Sequence, residues 1–385
     1  MDPYPDQITS KLPQTGTSVF AIMSQMAKEH NAINLSQGFP DFAVSPDLIK
    51  LVNKYMRKGN NQYAPMPGVM ELREAIAEKT EFLYSAKYDP ETEITVTAGA
   101  TQAIFTAIMS LIREDDEVIV FEPAYDSYVP AIKLAGGIPV CIPLKLPDYR
   151  IDWSEVKRVI NNRTRMIIIN SPHNPTGSIL SAADMIQLDK ITRNTGIIIL
   201  SDEVYEHIIF DGRDHQSVCR YPALAQRSMV MCSFGKTFHA TGWKSGYCAA
   251  PANLMKEFRK THQFVVFCVN TPVQYAIAEY IQNKDNYTNL GSFYQEKRDY
   301  FVELIKGSKF KVIPANGTYF QVLDYSKISD ENEMEFATRL TKEHGVASVP
   351  NSYFYQKPVN NQTLRFCFAK SNKTLEKAAE ILCQI

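Results

Sequence analysis

Ser233-Phe234-Gly235-Lys236-Thr237-Phe238-His239-Ala240-Thr241-Gly242-Trp243-Lys244-Ser245-Gly246-Tyr247 follows directly on the apolar run Ser228-Met229-Val230-Met231-Cys232. The run reads as a short buried strand, so Lys236 sits at a strand end, where a cleft forms and water is thinned out. A desolvated ammonium loses its proton more readily and becomes nucleophilic toward carbonyls, which is what a Schiff-base lysine requires. Ser233 and Lys244 flank it and suit an anion. Most lysines at strand ends are merely solvated, so the weight of this reading comes from residues elsewhere in the chain.

Three other segments have the same construction. Asn170-Ser171-Pro172-His173-Asn174-Pro175-Thr176-Gly177 follows the apolar run Met166-Ile167-Ile168-Ile169 and precedes a helical pattern from Ser181. Its prolines restrict the backbone around Asn174, and Gly177 permits a positive φ, so the Asn174 amide is held at a strand end. Alone, the segment also fits a plain Asn-Pro turn. In Ile197-Ile198-Ile199-Leu200-Ser201-Asp202-Glu203-Val204-Tyr205 an acid emerges from four aliphatics. An acid so placed is more often kept for a charged partner than for a turn. Thr95-Val96-Thr97-Ala98-Gly99-Ala100-Thr101-Gln102-Ala103-Ile104-Phe105 reads as strand, glycine turn and helix. The helix start is either a phosphate site built from backbone N–H groups or an ordinary Thr-capped end.

Four strand ends therefore carry a phosphate cradle, an amide, an acid with a phenol, and a lysine. Ligands of open α/β sheets bind outside the carboxyl ends of the strands, so the four can converge. With these motifs the chain resembles, over essentially its whole length, the fold-type I pyridoxal-phosphate enzymes, specifically the class I and II aminotransferases. The resemblance implies that Lys236 bonds covalently to pyridoxal 5'-phosphate, Asp202 pairs with its ring nitrogen, and Asn174 and Tyr205 bond its ring oxygen. It implies that Tyr125, in Phe121-Glu122-Pro123-Ala124-Tyr125-Asp126-Ser127-Tyr128, stacks on the ring, although the residue also fits a core tyrosine. Gly99, Ala100, Thr101, Ser233 and Lys244 would hold the phosphate. Many relatives have arginine where Lys244 stands, so a forked contact becomes a point charge. In Thr363-Leu364-Arg365-Phe366-Cys367-Phe368, Arg365 would grip the substrate carboxylate, the competing reading being an edge-strand charge. Asn34-Leu35-Ser36-Gln37-Gly38-Phe39-Pro40-Asp41 is similar to the substrate loop, with the Gly38 backbone near that carboxylate. In Asn61-Gln62-Tyr63-Ala64-Pro65-Met66-Pro67-Gly68, Tyr63 would cross to a neighbouring subunit and touch its cofactor phosphate, which implies a homodimer.

Bulk properties narrow the partners. The chain has 385 residues, a net charge of −1 and ordinary globular composition, with no basic block for nucleic acid. Its seven cysteines (141, 219, 232, 248, 268, 367 and 383) are scattered and lack C-x-x-C spacing. They read as free thiols of a reducing compartment, not as a disulfide framework or zinc site. The histidines show no H-x-x-x-H pair, so no metal is expected. Met1-Asp2-Pro3-Tyr4-Pro5-Asp6-Gln7 lacks the basic and apolar regions of a secretory signal, and no apolar run reaches the ~20 residues that span a bilayer. A cytoplasmic protein is expected, with no membrane contact.

Strand-like runs at about 94–98, 117–121, 138–142, 166–170, 197–201, 228–232 and 246–250 alternate with helical patterns at 101–114, 181–193 and 252–265. The alternation predicts an α/β fold, a mostly parallel seven-stranded sheet covered by helices. Helices at 271–283, 292–306, 333–344 and 373–384, with strands at 309–313, 318–323, 346–349 and 363–368, predict a smaller α+β domain. The division expected is 1–45 as an N-terminal arm and substrate loop, 46–283 as the cofactor domain and 284–385 as the small domain. The resemblance adds that the arm packs with the small domain and that substrate lies between the domains.

Within the family the chain looks closest to bacterial methionine aminotransferases and the kynurenine/glutamine branch, through Leu35–Asp41, Asn61–Pro65, Ser201–Glu206 and Ser233–Thr237. An uncharged, rather long amino acid is expected as donor to a 2-oxo acid: methionine first, then aromatic amino acids, glutamine or kynurenine. Phe20, Phe39, Tyr63, Tyr125 and Phe354 are candidates for an apolar wall. No second arginine stands out for a side-chain carboxylate. The enzymatic alternative is a cysteine-conjugate C–S β-lyase, and a pyridoxal-phosphate-sensing regulator is the alternative from another class.

Overall fold

Each of the seven apolar runs becomes a strand of one sheet: β1 Ile94–Thr97, β2 Glu117–Glu122, β3 Ile138–Pro143, β4 Thr164–Asn170, β5 Ile198–Asp202, β6 Ser228–Ser233 and β7 Gly246–Ala249. The structure is a computed structural model and describes residues 8–385, so the reading of Met1–Gln7 lies outside the described residues. The strand order is β1-β7-β6-β5-β4-β2-β3. β2 to β6 run parallel, and β7 runs antiparallel to its neighbours β1 and β6. The mostly parallel sheet is borne out, with one strand reversed.

Side-chain alternation explains why β4 and β5 read as continuous apolar runs. Ile167, Ile169 and Ile199 enter the core on one face of the sheet, while Met166, Ile168 and Leu200 enter the core on the other. With both faces covered, neither set can be polar. Register aligns the strand ends: Asn170 pairs with Asp202, and Asp202 with Met231, two residues before β6 ends at Ser233. The polar residues after the apolar runs therefore lie side by side.

Helices Gly99–Leu111, Ala182–Thr192 and Ala252–Val265 cover the sheet near their expected places. The second is started by a capping box between Ser181 and Asp184. Helices Val19–Glu29, Pro46–Arg57 and Met70–Tyr84 are additions to the sequence reading. Met70–Tyr84 buries Arg73 and Lys79 on its inner face, which breaks the apolar periodicity that would mark it.

A second sheet, entirely antiparallel, contains β8 Lys311–Ile313, β9 Phe320–Asp324, β10 Val349–Pro350 and β11 Thr363–Cys367 in the order β10-β11-β9-β8. The single strand expected at 346–349 is corrected: Val346–Ala347 pairs with Ile33–Asn34, whereas Val349–Pro350 pairs with β11. Every residue of both pieces is buried, so the apolar run conceals the change of sheet. The core here combines Leu364, Phe366 and Leu375 with Val19, Met23 and Leu35 from the N-terminal segment, and it takes in Tyr205 and Phe210 from the chain after β5. Tyr205 thus bridges the two sheets. Among the described residues, no helix is long and apolar enough to cross a membrane.

Candidate active site

The ends of β4, β5 and β6 and the start of helix Gly99–Leu111 surround a cavity of about 140 Å³. Gly99, Ala100, Thr101, Tyr125, Asn174, Asp202, Tyr205, Ser233, Lys236 and Lys244 all line it. Residues from positions 99 to 244 converge because parallel strands end on one edge of the sheet.

One end of the cavity is built for an anion. Ala98 occupies the N-cap of helix Gly99–Leu111 and provides no side-chain cap, so the Thr-capped alternative fails and the first amides stay available. Gly99 has φ +75°, and a Cβ there would lie 3.4 Å from the Lys244 Nζ. Close approach of that ammonium and the left-handed backbone both favour glycine. Ser245 also lines the cavity, and its buried Oγ has no hydrogen-bond partner in the protein. The Thr101 and Tyr125 hydroxyls are 3.2 Å apart.

At the other end Asp202 is buried with only 4% of its surface exposed. Tyr128 donates to its Oδ2 at 2.5 Å, and the Val204 amide donates to Oδ1 at 3.3 Å. Burial pushes the carboxyl up to about 6, opposed by the Tyr128 hydrogen bond. Asn170 braces the corner: its Nδ2 donates to the Asp202 carbonyl at 2.9 Å and its Oδ1 accepts from the Asn174 amide at 2.8 Å. A buried acid without a cationic partner is a place for a protonated ring nitrogen.

Lys236 lies on the short helix Phe234–Thr237. Its Nζ donates to the Tyr319 hydroxyl at 2.9 Å and to the Gly38 carbonyl at 3.3 Å, and burial lowers its pKa to about 8. Tyr205 packs edge-on against Tyr319, ring centroids 5.1 Å apart, and burial raises its phenol. Arg365 is 1% exposed on β11, which has strands on both sides, so the edge-strand alternative fails. Its guanidinium donates to Asn174 Oδ1 at 2.8 Å and to the Ser36 carbonyl at 3.1 Å, while Nε has no partner. Phe320 lies under it at 3.9 Å, with Phe20 and Phe354 at 5.2 and 5.4 Å. Burial lowers its pKa to about 10, which leaves it charged at neutral pH.

Of the remaining candidates, Phe39 is 42% exposed and Tyr63 83% exposed, and neither lines the cavity. The Tyr63 ring rests edge-on against Phe267 at 5.5 Å. Sequence reasoning missed Tyr128, Asn170, Ser245 and Tyr319. The first three lie within the motif stretches themselves, so membership of a motif is their available signal. Tyr319 had none, because it arrives from the other sheet.

An open helix start with a lysine and an orphaned hydroxyl fits a phosphate, the unpaired buried acid fits a basic ring, and a near-neutral amine fits an aldehyde. This donor set suits pyridoxal 5'-phosphate. No group of three or more metal-ligating side chains occurs among the described residues.

Comparison with known proteins agrees with the geometry. The family model for aminotransferase class I and II matches residues 30–382. Methionine aminotransferase of Escherichia coli (strain K12) is 48% identical over 377 residues, 98% of each chain. A solved Escherichia coli structure, described as identifying a methionine aminotransferase function, superposes with a TM-score of 0.97 at 48% identity, covering 99% of this chain and 100% of that one. A probable N-succinyldiaminopimelate aminotransferase of Mycobacterium tuberculosis is 36% identical, covering 96% of each chain. Kynurenine–oxoglutarate transaminase of Dictyostelium discoideum is 33% identical, covering 96% of this chain and 94% of its own.

Proposed function

The chain belongs to the class I and II aminotransferases, and from that premise we propose that its amino donor is an uncharged amino acid, methionine before aromatic amino acids, glutamine or kynurenine. It is a pyridoxal 5'-phosphate enzyme of fold type I that passes an amino group to a 2-oxo acid. The observation that carries the donor preference is the aromatic setting of Arg365, where Phe20, Phe320 and Phe354 surround the carboxylate-binding guanidinium. Apolar walls favour a thioether or ring over a second carboxylate. Identity to the Escherichia coli methionine aminotransferase supports the same order.

The geometry supports the following residue roles. Bound pyridoxal 5'-phosphate supplies the electron sink that makes the amino acid's Cα proton acidic. Asp202, steadied by Tyr128, keeps a negative charge at the ring-nitrogen end, and Asn174 and Tyr205 orient the ring from the edge. The start of helix Gly99–Leu111, Ser233, Lys244 and Ser245 hold the phosphate, and Tyr125 bounds the cavity beside Thr101. Arg365 and the Gly38 backbone bind the substrate carboxylate. The near-neutral Lys236 amine takes the Cα proton at Nζ and gives it back, because an amine with a pKa of about 8 can do both near neutral pH.

The same reading extends to assembly. Tyr63, Phe264, Val265 and Phe267 leave an apolar surface 83, 86, 45 and 47% exposed. A second copy of the chain covers it and receives Tyr63 at its cofactor phosphate, forming a homodimer. The division into 1–45, 46–283 and 284–385 is supported by one core that joins the N-terminal segment to the small domain and two that flank the large sheet, with Tyr287, Ile313 and Val322 packed against the sheet and Tyr205 and Phe210 against the small domain. Free cysteines support a cytoplasmic location.

The visible spectrum of the purified enzyme, before and after methionine and then with 2-oxo acids, tests the donor. Methionine should bleach the cofactor band and an oxo acid restore it. A band unmoved by methionine, or aspartate turned over far faster, defeats the preference.

A further inference from the structure

We propose that Tyr319 is a positioning residue for Lys236: its hydroxyl and the Gly38 carbonyl form a berth that receives the lysine amine whenever that amine is not covalently engaged. The Tyr319 hydroxyl donates to the Gly38 carbonyl at 2.6 Å and accepts from Lys236 Nζ at 2.9 Å, while Nζ also reaches the same carbonyl at 3.3 Å. Three separate parts of the chain meet there: the helix after β6, the entrance to β9 and the loop that faces the substrate carboxylate. An amine released from its covalent partner needs acceptors, since a buried ammonium without them is expelled or neutralised. The berth keeps Lys236 within the site and, through Gly38, ties its state to the position of the substrate loop.

The backbone is shaped for this placement. Thr318, fully buried just before Tyr319, has φ +66°, a conformation strained for a β-branched residue. It is held by its amide donating to the Ile208 carbonyl at 3.0 Å and by its Oγ1 accepting from the Phe320 amide at 3.2 Å. On the facing side, a Cβ at Gly38 would lie 2.8 Å from Phe320, so only glycine brings that carbonyl so near the ring beside Tyr319. Tyr294, whose ring centroid lies 5.7 Å from that of Tyr319, has a buried hydroxyl with no partner. Burial alone therefore does not create the contact.

The charged and titratable groups facing Lys236 are Asp202 from β5, Tyr205 from the following loop, Lys244 before β7, Arg365 and Cys367 from β11, and Tyr319. Burial lowers the lysine pKa most, Arg365 and Lys244 add to that lowering, and Cys367 and Asp202 oppose it. Tyr319 and Gly38 add acceptors for the charged form.

The inference rests on Lys236 as the cofactor-bonding lysine, and the test separates the two. Tyr319→Phe keeps the ring and its packing. In full-length enzyme loaded with pyridoxamine 5'-phosphate, and in the same chain without cofactor, the pH dependence of Lys236 acylation is read by peptide mass spectrometry. Loss of the berth should lower the acylation midpoint by roughly one pH unit and kcat by about tenfold, with KM for the amino donor changed little. Tyr294→Phe should leave the midpoint where it is. Borohydride reduction of holoenzyme then locates the cofactor-bonded lysine. If it marks Lys236 in both proteins and Tyr319→Phe does not move the midpoint, the berth is overturned and the anchor stands. Marking of a different lysine overturns both.

Discussion

Two buried lysine and carboxylate sets, whose acids lie close together in the chain, behave in opposite ways. Lys79 and Glu206 touch at 2.5 Å, with the Tyr247 hydroxyl accepting from Lys79 at 3.0 Å and the Tyr84 hydroxyl donating to Glu206 at 2.5 Å. Burial opposes both charges, but mutual attraction outweighs it and holds Lys79 above and Glu206 below their ordinary pKa values. Lys236 and Asp202 are not paired with each other. Burial prevails there, lowering Lys236 to about 8 and raising Asp202 to about 6. A paired buried charge is chemically inert, whereas an unpaired one is ready for a ligand or a proton. Asp202 and Glu206 stand only four positions apart, so pairing, not location, decides the behaviour.

The largest effect expected is at the unpaired lysine. Lys236→Ala should reduce transamination by at least roughly 10⁴-fold while leaving thermal unfolding nearly unchanged, and substantial turnover in steady-state assays would remove the distinction. The paired lysine should do the reverse. Lys79→Met strands the Glu206 charge and should cost roughly 3–5 kcal/mol in urea unfolding, with Lys79→Met/Glu206→Gln recovering most of the loss.

Asp202→Asn should split stability from function. In the cofactor-free chain, the carboxyl is raised from 3.8 to about 6, so its contribution to stability is complete below pH 3.8 and is lost as pH rises through about 6. Removing the acid should therefore stabilise that chain by roughly 2–3 kcal/mol at pH 7. The same change should lower turnover on the order of 10²- to 10³-fold with cofactor still bound. Glu206 has the opposite sign: its contribution is present above its ordinary value of 4.5 and lost as pH falls. Unfolding measured from pH 4 to 8 for wild type and Asp202→Asn checks the Asp202 slope, and unfolding of wild type and Glu206→Gln below pH 4.5 checks the other. Smallest in stability is Tyr63→Ala, expected within about 0.5 kcal/mol because the ring is exposed, yet impaired in turnover if the neighbouring subunit uses it.

The strands of the large sheet were legible because burial on both faces writes an uninterrupted apolar run followed by a polar stop, as at Ile167–Asn170 and Ile199–Asp202. Lys236, Asp202 and Asn174 stood out for the same reason. Helix Met70–Tyr84 was not legible, since its inner face carries Lys79, whose partner Glu206 lies 127 residues away, and Arg73, which turns back to the Gly68 and Pro90 carbonyls outside the helix. The split at Ser348 was hidden because both flanking pieces are buried.

Local chemistry along the chain thus determined the sheet, the family and most of the groups lining the cavity, because strand ends and motifs are short-range features. Only the tertiary structure decided which charges are paired, that Arg365 meets Asn174, and that Tyr319 reaches Lys236. These depend on contacts across 191 and 83 residues respectively. No periodicity records such a contact, because folding, not sequence spacing, sets the distance between the groups.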